Sequence, residues 1–148
     1  MARQAQNILP GLPRKAAKLV VAPVVREPIL HQQIAHTFRI ELAAPLRRSP
    51  HGVIWFSIDI AGYVGQVPGI RTSRGIVAGV PDIVVLNGPQ AAWIELKATD
   101  GSLSPMQAIG ITELLGNGCH CGVATSVEEA LALLDAWEIP RAHRIREL

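Results

Sequence analysis

Ile29, Leu30, Ile34, Phe38 and Leu42 recur at three- and four-residue steps, the spacing of one helix face. Pro28 suits the first helical position, so the pattern predicts a helix opening at Glu27-Pro28. Residues 45–52 read as a loop with Pro45, Pro50 and Gly52. Residues 53–60 alternate, with Val53, Trp55, Ser57 and Asp59 on one face and Ile54, Phe56, Ile58 and Ile60 on the other, which predicts a strand. A long glycine-rich connection over residues 61–80 carries Arg71 and Arg74; loops of that length are usually functional or disordered. Two short apolar runs follow, 83–86 and 91–96, separated by Asn87-Gly88-Pro89-Gln90, a strong hairpin signal. Ser104-Pro105-Met106-Gln107 opens a second helix to about Leu115, stopped by Gly116. Residues 119–124 read as a further strand, and Ser126-Val127-Glu128-Glu129 is a capping box for a last helix ending near Trp137. The order helix, three strands, helix, strand, helix is that of an α/β layered domain. Residues 1–26 mix Pro10, Pro13 and Pro23 with basic side chains and hold no period. They read as an irregular basic arm before a domain over 27–140 and a tail over 141–148.

The chemistry concentrates on the hairpin. Glu95 and Lys97 are two apart and project from one strand face. With Asn87 to Gln90 as the loop, Leu86 pairs with Ala91, Val84 with Trp93, and Asp82 falls opposite Glu95. A two-residue Asn-Gly turn shifts the register by two and leaves Asp82 on the same face, whereas an odd-length loop turns it away. Two carboxylates brought this close repel unless something compensates. A hard divalent cation does so, since Mg²⁺ takes one or two carboxylates plus water and phosphate oxygens. Lys97 beside them completes a set suited to metal-assisted phosphodiester hydrolysis. The alternative from spacing alone is a cross-strand salt bridge of Lys97 with Asp82 or Glu95 on a wet sheet face.

Composition and charge narrow the setting. A length of 148 residues fits one domain, and 49% hydrophobic residues suffice for a core. The longest stretch free of charged residues, between Glu113 and Glu128, is broken by Gly116, Asn117 and Gly118. A membrane helix needs about 18 consecutive apolar residues, so none is expected. The apolar run after Ala16 is interrupted by Lys18 and Pro23, which argues against a signal peptide. Two cysteines make no disulfide framework, and a reducing cytoplasm is the expected compartment. Up to Arg74 the chain holds ten Lys and Arg against three Asp and Glu; after it, four against nine. A basic half can serve a phosphate backbone or be an ordinary solvated surface.

Pro81-Asp82 followed by Glu95-Leu96-Lys97 resembles the PD-(D/E)xK nuclease signature. The surrounding strings, residues 79–86, 93–98 and 101–107, sharpen this into a resemblance to the VRR-NUC family of virus-type replication-repair nucleases. It continues through Leu115-Gly116 and residues 125–130, and reaches back more loosely to Glu27-Pro28-Ile29-Leu30-His31. The resemblance implies a restriction-endonuclease-like αβββαβ core with a mixed sheet flanked by helices. It implies Asp82 and Glu95 as metal ligands, helped by the Leu96 carbonyl and by Glu27, Lys97 as the catalytic lysine, and Mg²⁺, with Mn²⁺ as a substitute, as cofactor. The implied activity is endonucleolytic cleavage of DNA, branched forms such as Holliday junctions or flaps included, in phage or bacterial replication or repair. A homodimer is expected by analogy with stand-alone relatives.

Several positions admit two readings. Glu27 matches a family carboxylate, and it is also a first-turn acid favoured by the helix dipole. Gln107 matches a family glutamine near the site, while Ser104 and Gln107 also form a capping box whose helix N-terminus can present N–H groups to phosphate. Arg71 and Arg74 are phosphate contacts or exposed loop arginines. Cys119-His120-Cys121 lacks the second pair that a zinc site needs, and its thiols read better as packed strand residues. His31, His36, His51 and His143 show no partner spacing. Two rival functions remain: a catalytically silent DNA-binding module of the same fold, and an enzyme acting on a small phosphoester. Salt dependence of binding separates a polyanion from a small ester.

Overall fold

Leu30, Ile34, Phe38 and Leu42 lie four residues apart and so draw a single stripe down a helix. In a computed structural model describing residues 25–58 and 78–143, that stripe is what the first helix, α1 (Glu27–Glu41), and its C-cap bury. Ile29, which the periodicity also counts, falls outside the stripe and is 48% exposed. The proline-containing arm up to residue 24, residues 59–77 with Arg71 and Arg74, and residues 144–148 lie outside the described residues.

The strands are β1 (Val53–Ser57), β2 (Ile83–Asn87), β3 (Gln90–Leu96) and β4 (His120–Ala124), in the sheet order β1-β2-β3-β4. The first two pairings are antiparallel and β3–β4 is parallel. A parallel pair requires a crossover, here α2 (Pro105–Gly116), and α3 (Val127–Ala136) follows β4. A mixed four-stranded sheet flanked by helices is the α/β layered domain expected from the order of elements, and it is consistent with the restriction-endonuclease-like core that the resemblance implies. Among the described residues no helix is long and apolar enough to cross a membrane.

Strand alternation sorts the sheet into two faces. Val53, Trp55, Ile83, Val85, Ala92, Ile94, Leu96 and Ala124 point to one side, where α1 and α3 cover them with Leu30, Ile34, Phe38, Ala130 and Leu134. Each large side chain buried there is worth about 1.5–3 kcal/mol. Trp55 anchors the layer: its ring meets Phe38 edge-on at 5.4 Å, and its Nε1 donates to the Ala43 carbonyl at 2.7 Å. The chain after α3 is tied to α1 by charge. Arg141 donates to both oxygens of Asp135 and, at 2.8 Å, to Glu41, which also accepts from the backbone N–H of His143.

The opposite face carries Val84, Trp93, Glu95 and Cys121, and α2 lies over it through glycine. A Cβ on Gly110 would come 2.2 Å from the Gly79 carbonyl oxygen, and one on Gly79 would come 2.1 Å from that of Met106. Gly79 also holds φ +90, a conformation L side chains rarely adopt. Backbone therefore meets backbone, and α2 sits closer to the segment leading into β2 than any side chain would allow.

Candidate functional site

Hairpin register decides which charged residues meet. Asn87 pairs with Gln90, so the turn is Gly88-Pro89, with Gly88 at φ 59. This is neither of the turns the sequence left open, yet Leu86–Ala91 and Val84–Trp93 pair as the four-residue reading requires. The last β2–β3 pair is Ile83 with Ile94, which places Asp82 across from Glu95. Asp82 is held at both ends. Its carbonyl accepts the Ile58 N–H at 2.7 Å, and its Oδ2 accepts the Leu96 N–H at 2.8 Å.

Glu95 is 1% exposed, rare for a carboxylate. Its Oε1 takes two cationic or polar donors: Lys97 Nζ at 3.2 Å and Gln107 Nε2 at 2.5 Å. Its Oε2 is buried with no hydrogen-bond partner among the described residues. Burial, and then the negative charge of Asp82, push the Glu95 carboxyl from an ordinary 4.5 up to about 7, against the pull of Lys97. Asp82 is also raised, first by burial and further by Glu27, while the Leu96 N–H, His31 and Lys97 pull it down. Negative charge is thus packed at this end of the sheet beyond what its own partners neutralise.

Gln107 serves two structures with one side chain. Its Oε1 accepts the Ser104 N–H at 2.9 Å and its backbone N–H donates to Ser104 Oγ at 3.2 Å, closing the capping box of α2. Its Nε2 meanwhile reaches Glu95. The two readings of this residue are therefore compatible in space, while Ser104 acts on the helix start and contacts Gln107 rather than the carboxylates. From α1, Glu27 adds negative charge felt by both Asp82 and Glu95. Arg71 and Arg74 lie outside the described residues.

One neighbour escaped the sequence reading. His31 brings its Nε2 to 3.8 Å from Asp82 Oδ2. The available signal was its position four residues after Glu27, on the same helix face. Cys119-His120-Cys121 does not gather as a metal site. His120 points to the other side of the sheet and stacks on Trp137 at 5.6 Å. Burial, and then the charge of Glu95, push the Cys121 thiol up to about 11, which keeps it protonated and poorly nucleophilic.

The donor set fits a hard divalent cation. A buried carboxylate oxygen on Glu95 without a partner among the described residues calls for a proton or a cation, and the strand register sets Asp82 across from Glu95. Among the described residues no group of three or more His, Cys, Asp and Glu converges to hold a metal ion. The site therefore offers a carboxylate pair and main chain, with other positions left to water and substrate, as Mg²⁺ tolerates. Compared with known proteins, residues 62–128 match the family model of the VRR-NUC domain. That span holds Asp82, Glu95, Lys97 and Gln107, and α1 lies ahead of it. No curated protein and no solved structure matches the chain.

Proposed function

Starting from the VRR-NUC domain matched over residues 62–128, a nuclease-type domain acting on DNA, we propose that this chain is a divalent-metal-dependent DNA endonuclease. Its nuclease domain spans residues 27–140. The observation that carries this reading is the convergence of Asp82, Glu95 and Lys97 at one end of the sheet, with Glu95 Oε2 buried and unpartnered among the described residues. A pure binding module has no use for concentrated negative charge where phosphate must sit.

Asp82, Glu95 and the Leu96 carbonyl would hold Mg²⁺ or Mn²⁺, with Glu27 adding negative charge from α1. When bound, the cation supplies Lewis-acid stabilisation of charge on the phosphate. Lys97, fixed against Glu95 at 3.2 Å, orients the attacking water and offsets negative charge growing on the phosphate oxygens. Gln107 holds the Glu95 carboxylate in place through Oε1, so that Oε2 keeps its direction. The Leu96 N–H does the same for Asp82. Ser104 and Gln107 present the start of α2 to a neighbouring phosphate, and Arg71 and Arg74 add backbone contacts. The substrate is branched or otherwise structured DNA, a junction or flap, met in the cytoplasm in phage or bacterial replication or repair. A homodimer supplies the surface a four-way junction needs.

Cleavage of labelled duplex, single-stranded, flap and four-way-junction DNA with Mg²⁺, Mn²⁺ or EDTA tests this. Cutting is expected with either ion, to vanish in EDTA, and to fall by about 10²–10³-fold or more in Lys97→Ala and Asp82→Ala. DNA binding with no cutting, unchanged by both substitutions, would leave a binding module in place of an enzyme.

A further inference from the structure

Among the described residues three side-chain nitrogens stand around the carboxylate pair, each from a different element: Lys97 from the end of β3, Gln107 from α2 and His31 from α1. Lys97 and Gln107 are both drawn to Glu95 Oε1. His31 is not bonded in this way. Its Nε2 lies 3.8 Å from Asp82 Oδ2, beyond hydrogen-bond reach, and that oxygen already accepts the Leu96 N–H at 2.8 Å. The His31 side chain is 35% exposed, so the ring is partly packed while its Nε2 edge meets the site. Among the described residues it makes no hydrogen bond.

A buried structural histidine would have found a partner, and among the described residues no three His, Cys, Asp and Glu side chains gather to hold a metal ion. Donors around an octahedral ion with bonds of about 2.1 Å lie about 3 Å apart when adjacent and about 4.2 Å when opposite, and the 3.8 Å seen here matches neither. A phosphate oxygen fits the gap, because it has to approach the carboxylate-held cation and can accept an N–H from the side. Resting on the nuclease reading, we propose that His31 is a substrate-contacting residue whose Nε2–H donates to a non-bridging oxygen of the phosphodiester held at Asp82 and Glu95. The helix that bears it lies outside the matched family region, so this contact comes from α1, ahead of the matched span.

The test compares wild type with His31→Ala and His31→Gln, the latter retaining an N–H donor. Binding of uncut junction DNA is measured by fluorescence anisotropy with Ca²⁺ in place of Mg²⁺, Mn²⁺ binding without DNA by calorimetry, and folding by thermal melts. His31→Ala is expected to weaken DNA binding by about 10-fold, with Mn²⁺ affinity and melting as in wild type, and His31→Gln to restore most of the loss. A neutral methylphosphonate at the mapped cleavage position is expected to weaken wild-type binding and to affect His31→Ala much less. Wild-type DNA affinity in His31→Ala, beside a wild type that binds and cuts, would overturn this proposal alone. Loss of Mn²⁺ affinity in His31→Ala would overturn it in favour of a ligand role. A wild type that neither binds nor cuts DNA would overturn the nuclease reading and this contact with it.

Discussion

Replacing Gly110 with alanine should separate the stability of the fold from the working of the site. The added methyl would stand 2.2 Å from the Gly79 carbonyl oxygen and 3.0 Å from its carbon, where ordinary contact begins at 3.4 Å. Backbone cannot rotate away as a side chain can, so α2 must withdraw by about 1 Å. Overpacking of this kind costs about 1–3 kcal/mol. Alanine's better helix propensity returns about 1 kcal/mol, leaving a net loss of about 0–2 kcal/mol. The site suffers more. Gln107 lies one turn before Gly110, and a 1 Å retreat stretches its 2.5 Å bond to Glu95 to about 3.5 Å, too long to hold the carboxylate. Misplacement on that scale costs about 10²-fold in rate. Urea denaturation and single-turnover DNA cleavage read the two effects separately. Gly116→Ala, on the same helix with nothing within 4 Å of its Cβ, is the control, expected to keep full cleavage. A Gly110→Ala protein that gains about 1 kcal/mol and cuts like wild type would refute the backbone contact between α2 and residue 79 and the positioning argument built on it.

Glu95→Gln should stabilise the metal-free fold while abolishing cleavage. The wild-type carboxyl is raised from 4.5 to about 7 by burial first and then by Asp82. The folded state therefore binds the proton more tightly than the unfolded chain, and stability falls as pH rises between those values. The variant lacks that slope, so it should exceed wild type by about 3 kcal/mol at pH 8 and match it near pH 4; parallel denaturation curves across this range would refute the account. Arg141→Ala should cost about 2–4 kcal/mol in chemical denaturation, because it strips the paired donor from Asp135 and from buried Glu41. Burial alone would raise the Glu41 carboxyl, but hydrogen bonds from Arg141 and His143 outweigh it and leave it below the ordinary range. The wild type should accordingly lose this contribution as pH falls through that lowered value, and a loss under 0.5 kcal/mol in the variant (about the scale of an exposed pair) would refute it.

Much of the site was legible because it rests on short-range periodicity. A strand repeats every two residues, so Glu95 and Lys97 share a face whatever surrounds them, and any hairpin with an even-length loop brings Asp82 to the same face. The turn proved to be Gly88-Pro89 rather than Asn87-Gly88, and the parity argument survived that difference. Capping of α2 by Ser104 and Gln107 was legible for the same reason, being a contact across three residues. What lay beyond reach is whatever joins elements distant in sequence. His31 meets Asp82 across 51 positions, and Glu41 meets Arg141 across 100. Gln107 turns its free amide to Glu95 because Gly79 and Gly110 let α2 settle directly on the chain beneath it. A strand's parity or a helix's cap follows from bond geometry within a few residues. Which side chain of α1 reaches the carboxylates depends on where the packed helix comes to rest on the sheet, and only the volumes and shapes of the whole core decide that.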